Sequence, residues 1–506
     1  MTSTSSPTAS NSSTALSILG IAILLGIGGD VLLHGAGLGL NFAVWIATLV
    51  AQAAVLGRDY APERARRSRW LMPLALMFAL CLAWRDNESL RALDVLAVLI
   101  ALSLPLLPAW SVRVATARVT DFVAALASTV GHLGLGAVFL AAHDVRWDEI
   151  RRDYVPKRFG GVLAGVALAV PIVLVFGALF ASADPIFGRL VRSIVAWDIE
   201  PVVTHTLLAG FLAAVSAGFL RAQLLSTRLE VPAGIAATAP TAGIVPIGIA
   251  LGAMILTFLL FIAVQARYLF AGEAFVRAAT GLTLAEYARR GFLELAVAAA
   301  LTVPILFAAE WLLDKRDERQ VRSFRALGTV QMVLVGLVMI SAFQRMRLYT
   351  NAYGLTEDRL FGTAFMMWIA FVLAWFGRTV LRGRPERFAF GAVVGGFATL
   401  GALNLVNPDA LVVRVNVSRA RTVEHFDGTY VAGLSADAMP ALVARLSALP
   451  NGPRCDVVSQ LTKRGDKDVV RDWRNWSVAR HRAVVALRRV DLTGLGCSDN
   501  PLAVSR

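Results

Sequence analysis

Eleven apolar runs, most of them about twenty residues long and nearly free of charge, recur along this 506-residue chain. They occupy 15–33, 37–56, 70–84, 92–109, 161–182, 202–222, 244–266, 291–313, 326–344, 361–379 and 388–406. A helix of about twenty residues covers the ~30 Å of a bilayer's hydrocarbon layer. Lipid offers the backbone no hydrogen-bond partner, so apolar spans of this kind fold as helices. The chain is 57% apolar and 17% charged, against roughly 45–50% and about 25% in soluble domains. The expected fold is all-α: a polytopic transmembrane bundle of about 11–12 spans with a small helical extramembrane C-terminal domain. Disordered, collagenous and disulfide-scaffold chains are excluded, as is an ordinary soluble enzyme.

Loop charge predicts the topology. Loops 57–69, 110–120, 143–160, 221–243, 314–325 and 378–387 hold 23 Lys and Arg, whereas 85–91, 183–201, 267–290 and 345–359 hold 11. Basic loops stay in the cytoplasm, which places the N-terminus there. Segment 121–142 carries Asp121, Ser128 and His132 and has basic loops on both sides. It therefore reads as a re-entrant or interfacial element, and eleven crossings leave the C-terminal tail outside. The net charge of +14 sits mostly in these short loops, where it sets topology, so nucleic acid is not an expected partner. The lipid bilayer is.

Four regions follow. Residues 1–14 are polar, uncharged and expected to be disordered; without a basic n-region the first apolar run stays as a membrane helix. Residues 15–142 form the N-terminal membrane helices and 143–406 a membrane core. From Asn407 to residue 506 the composition turns polar. There Ser435 or Asp437, the latter the better candidate, caps a helix running to about Leu449 with Met439, Leu442, Val443 and Leu446 on its apolar side. Asn451-Gly452-Pro453 marks a break. A second helical pattern includes Val469, Val470, Trp473, Trp476, Val478, Ala483, Val484 and Leu487. Two of the three cysteines, Cys455 and Cys497, lie in this tail. Disulfides persist in oxidising compartments, so the pair suits an exported tail, although two separate thiols fit the sequence equally well.

Chemical signatures are few. The chain contains no GxxxxGK[ST] loop, HExxH or CxxC, and its six histidines are scattered, so neither a metal site nor a cofactor is expected. Charges buried in lipid are functional candidates because insertion costs about 2.5–3.5 kcal/mol. They are Asp30, Asp94, His132, His205, Glu294, Glu310 and Arg345, with His205 the intramembrane ionisable candidate and the acids near span ends able to reach the interface. Two loops on the expected outer side are richer. In 281–295, Thr283 and Glu286 form a capping box, while Glu286, Tyr287, Arg290 and Glu294 lie along one stretch where acid and base can pair at helical spacing. In 345–359, Thr356 caps a following helix, and Arg345, Tyr349, Asn351 and Tyr353 either line an outward cavity or form an interfacial aromatic belt. These eight residues make up the candidate polar outer site.

The segments GLTLAEYARRGFLEL (281–295), RLYTNAYGLTEDR (347–359) and NLVNPDALVVRVNVSRA (404–420) resemble the bacterial domain-of-unknown-function family 4153/4173. ASADPIF (181–187) and YVAGLSADAMPAL (430–442) fit as well. The resemblance covers most of 160–445 and implies a multi-pass inner-membrane protein without assigned catalytic residues. Three functions are then weighed. The first is a non-enzymatic envelope sensor or scaffold whose exported tail binds an envelope protein or a small-molecule ligand. The second is a secondary transporter or channel, and the third a membrane-embedded enzyme acting on an envelope substrate.

Overall fold

A computed structural model describes residues 7–145, 199–225, 242–270, 292–420, 426–464, 472–490 and 497, with a few positions between 169 and 187. The helices of the bundle are α1 (Pro7–Leu33), α2 (Leu40–Tyr60), α3 (Met72–Trp84), α4 (Glu88–Ser103), α5 (Val119–Phe139), α6 (Ile199–Leu224), α7 (Ile244–Phe270), α8 (Phe292–Leu312), α9 (Glu318–Tyr353), α10 (Glu357–Thr379) and α11 (Phe388–Val406). Among the described residues ten helices are long and apolar enough to cross a membrane: α1, α2 and α4 to α11. The protein is an all-α polytopic bundle. The expected span at 161–182 lies outside the described residues.

The structure refines three expectations. Helix α1 begins at Pro7, so part of the segment expected to be disordered is helical; extending an existing helix fixes one residue per added bond, without a new nucleus. Helix α3, within the expected span 70–84, has only 13 residues, about 20 Å of helix, and with the turn Arg69–Leu71 before it carries the chain from the end where Arg67 meets Ser111 to the end where Arg85 meets the domain. One face is packed in the bundle, with Phe78 and Leu82 fully buried and Phe78 stacked on Phe397 of α11 at 5.2 Å. Segment 121–142 is one continuous helix, prolonged by a π-turn at Leu140–Asp144. Val119 packs in the cluster of Phe388, and Asp144 pairs with Arg221 at 2.6 Å, one turn before Leu224, whose carbonyl accepts from Arg64 at 3.1 Å.

The bundle thus has two distinct ends. At one, Ser17 bonds Tyr60 at 2.7 Å, Arg67 donates to Ser111 at 3.0 Å, and Ile244 N–H donates to Gln320 at 2.9 Å. The described base-rich loops gather here. At the other end, the loops after α1, α3, α9 and α11 meet the C-terminal domain: Trp476 O accepts from Leu40 N at 3.1 Å, and Asn416 grips both backbone groups of Leu355 at 2.8 and 2.7 Å.

That domain contains α12 (Pro408–Arg419), α13 (Asn451–Arg464) and α14 (Val478–Arg488), with short turns between them. Asn407 takes a left-handed conformation, φ 59°, between α11 and α12 and caps α12 through Ala410 N–H. The helix expected to reach Leu449 is broken into Ala436–Ala438, Met439–Val443 and Leu446–Ala448, which lets Met439, Leu442, Leu446 and Leu449 all enter one core. Ser435 caps the first turn, not Asp437, whose carboxylate is used elsewhere. The Asn451-Gly452-Pro453 break opens α13. The core also takes in Val412, Val413, Val457, Ala479 and Ala483, together with Leu355 from the bundle. A disulfide joins Cys455 of α13 to Cys497.

Candidate functional site

The bundle and the C-terminal domain meet through buried charge. As α3 ends at Trp84, the chain turns through Arg85 and Asp86 to Asn87, whose side chain caps α4 by accepting from Leu90 N–H at 2.9 Å. The turn leaves the amides of Asp86 and Asn87 free of the helices, and both donate to Asp437 Oδ2, at 2.6 and 3.3 Å. Arg85 Nη1 donates to the other oxygen of Asp437 at 3.1 Å, with side chains only 7% and 2% exposed. Arg85 Nε satisfies the Asn404 carbonyl at 2.7 Å, one of the unpaired carbonyls at the end of α11. Burial pushes the Asp437 carboxyl above its usual range, although the Asp86 amide and Arg85 pull it back.

The same seam continues on either side. Asn404 donates to Asp94 at 2.9 Å. Asn87 donates to Asp409 at 2.8 Å, and the Ser435 hydroxyl bonds the second oxygen of Asp409. Asp86 accepts from Arg480 of α14 at 2.9 Å and from Arg91 at 3.3 Å. Glu357 N–H donates to the Tyr430 hydroxyl at 2.9 Å. Arg474 reaches from the domain to the carbonyls of Val31 and His34, at 2.8 and 3.1 Å. Two of the three family-like segments, 347–359 and 404–420, therefore owe part of their composition to this joint.

Within the seam lies a cavity of about 420 Å³ whose wall includes Trp84, Arg85, Asn407, Arg414, Arg445 and Arg482. Arg85 lies over the Trp84 ring at 4.3 Å and is fully engaged by Asp437 and Asn404. The other three arginines are not. Arg414 and Arg482 are exposed and have no carboxylate partner among the described residues. Arg445 donates weakly to Ala441 O at 3.5 Å in its own turn. Asp437, the acid in the wall, is already consumed by Arg85 and two amides. Such a pocket suits an anion, since guanidinium forks match the oxygens of phosphate or carboxylate, and its volume lies within the range of small-ligand sites.

The residues singled out from sequence are distributed differently. Glu286, Tyr287 and Arg290 lie outside the described residues. Glu294 is exposed at the start of α8, and Arg345 is half-buried on α9. Tyr349 and Tyr353 do meet, ring to ring at 5.2 Å, and Arg359 lies 3.9 Å over Tyr349. The Asn351 side chain is exposed while its carbonyl accepts from Arg419. None of the described ones lines the arginine cavity.

His205 hydrogen-bonds Asp30 at 2.7 Å and stacks on His34 at 3.7 Å. Helix packing thus gathers histidines that look scattered in the sequence, removing the reason for expecting no metal-capable cluster. Sequence reading missed Arg85, Asp409, Arg414, Arg445 and Arg482 altogether. The only signals were the paired NPDA and SADAMP segments, whose acids turn out to face one another's neighbours across the seam.

No curated protein and no solved structure matches the chain. The family described as Domain of unknown function (DUF4153) matches residues 72–444, reaching farther toward the N-terminus than the three segments alone. The match runs from the start of α3, which leads into Trp84 and Arg85, to the residue before Arg445. By that match, the chain belongs to the DUF4153 family.

Proposed function

We propose that this protein is a bacterial inner-membrane sensor or scaffold, non-enzymatic, that recognises an anionic, phosphate-bearing component of the envelope. Its N-terminus lies in the cytoplasm and its C-terminal domain outside. The arginine-walled cavity carries the reading: three guanidinium groups without acidic partners among the described residues line a space between the bundle and the domain. Ligand bound there touches both bodies and would report its presence through their joint.

The sidedness is supported by the base-rich loops, which gather at the end away from the domain, and by the disulfide in the domain. The position of the cavity at one end of the bundle favours recognition over a transport pathway, whose sites lie near the bilayer midplane. The test is titration of the detergent-purified full-length protein with short-chain phosphatidylglycerol, short-chain phosphatidylcholine and inorganic phosphate. The anionic ligands should bind in a salt-sensitive manner, and Arg445→Ala with Arg482→Ala should weaken them at least about tenfold, as expected from losing hydrogen bonds to charged groups. Equal affinity in the double variant would refute the site.

A further inference from the structure

We propose that Asp30, His34 and His205 form a binding site for a divalent transition-metal ion of the Zn²⁺ class, at the end of the bundle beneath the C-terminal domain. The proposal is independent of the arginine cavity. One ligand atom from each of the three side chains lies within 4.8 Å of the other two. Asp30 on α1 and His34, just past its end with its N–H donating to Asp30 O at 2.9 Å, stand one turn apart on the same face, and α6 supplies His205 across the interface.

The close approach of α1 and α6 is built into the sequence. A Cβ on Gly26 would overlap the carbonyl oxygen of Ala209, so the glycine lets the two backbones touch one turn below Asp30. At the other side of the cluster, Arg474 holds the carbonyls of Val31 and His34, fixing the last turn of α1. The ligand-bearing residues are therefore positioned by packing that does not depend on any ion.

The donor chemistry is specific. Two imidazole nitrogens and one carboxylate are a common set for zinc, which in open sites binds three protein ligands and leaves a fourth position free. Bond lengths of about 2.0–2.2 Å require ligand atoms a little over 3 Å apart. Here Asp30 Oδ2 lies 2.7 Å from His205 Nδ1, and Asp30 Oδ1 lies 3.5 Å from His34 Nδ1, so small side-chain shifts suffice. Both imidazoles turn the same nitrogen, Nδ1, toward one carboxylate, the convergence that a shared cation would draw together.

Asp30 also has an unmet need. The residue is 8% exposed, and its buried Oδ1 has no hydrogen-bond partner among the described residues. A buried carboxylate oxygen left in that state is costly, and a bound cation would satisfy it. His205, with its side chain 49% exposed, leaves an approach from outside the helix pair.

The experiment uses full-length protein in detergent, stripped with a chelator and titrated with Zn²⁺ against a chromophoric competitor, then with Co²⁺ followed by visible absorption. One tight equivalent is expected, with Co²⁺ bands of low coordination number, and Zn²⁺ should raise the melting temperature. His34→Ala and His205→Ala should each weaken binding by at least about tenfold, the loss that even outer-sphere changes produce, and should abolish the thermal shift. His205 is half-exposed, so its replacement leaves the fold intact; melting temperature without metal checks this. No bound equivalent in the parent protein, or unchanged affinity in the double His variant, would overturn the proposal.

Discussion

At the scale of single residues, the account turns on Arg85 and Asp437. Replacing Asp437 with Ala leaves a buried guanidinium and two backbone amides without their acceptor. Breaking a buried pair from one side typically costs about 3–5 kcal/mol, so thermal unfolding in detergent should show a large drop for Asp437→Ala. Arg85→Met combined with Asp437→Leu removes both charges and should recover much of that loss; a double variant as unstable as the sum of the singles would speak against a coupled pair. Because burial raises the Asp437 value, the folded state holds its proton more tightly than the unfolded one. Stability should then decline as pH rises from the ordinary aspartate value to the raised one, and level off above it. Asp437→Asn should flatten that slope in a pH series of melting curves. None of this was legible in the sequence. Asp437 and Arg85 are separated by 352 positions, and locally Asp437 reads as a helix cap because it precedes Pro440. Ser435 does the capping, and the acid is free to turn inward.

At the scale of elements, most helices were legible because hydropathy over about twenty residues reports directly on burial in lipid. The exceptions have physical causes. Helix α3 is as apolar as a span but short; it buries Phe78 and Leu82 among α2, α4 and α11, while Met77 and Leu80 stay exposed on its other face. Helix α5 has the length of a span, whereas basic loops on both of its sides make it read as an interfacial element. Its behaviour can be checked by accessibility: Ser111→Cys and His143→Cys should be labelled by an impermeant maleimide from the same side, whereas labelling from opposite sides would make α5 a full crossing. Glycine decides the contact between α1 and α6. Gly26→Val must push the helices apart, an overpacking of about 1–3 kcal/mol, and should weaken Zn²⁺ binding at Asp30, His34 and His205 without changing any ligand. Unaltered metal affinity in that variant would mean that close packing does not set the cluster.

At the scale of the whole molecule, the bundle and the C-terminal domain behave as one body joined by polar contacts. The apolar core of the domain borrows Leu355 from the bundle, which fits the small core that about a hundred residues can bury. The split at Asn407 was visible as a change in composition, and the loop-charge bias sorted the described loops into the two groups that the fold gathers at opposite ends. The arginine cavity was not visible, because Arg414, Arg445 and Arg482 come from separate stretches of a polar tail and mean nothing until the domain is closed onto Trp84. The recognition reading requires that cavity to face the envelope. The most direct test reads the side on which the domain lies: in Cys81→Ser protein, intact cells are treated with an impermeant maleimide before and after reduction. The account predicts that Cys455 and Cys497 are labelled in intact cells and only after a reductant has opened their bond. Labelling that appears only once the cells are lysed would contradict it.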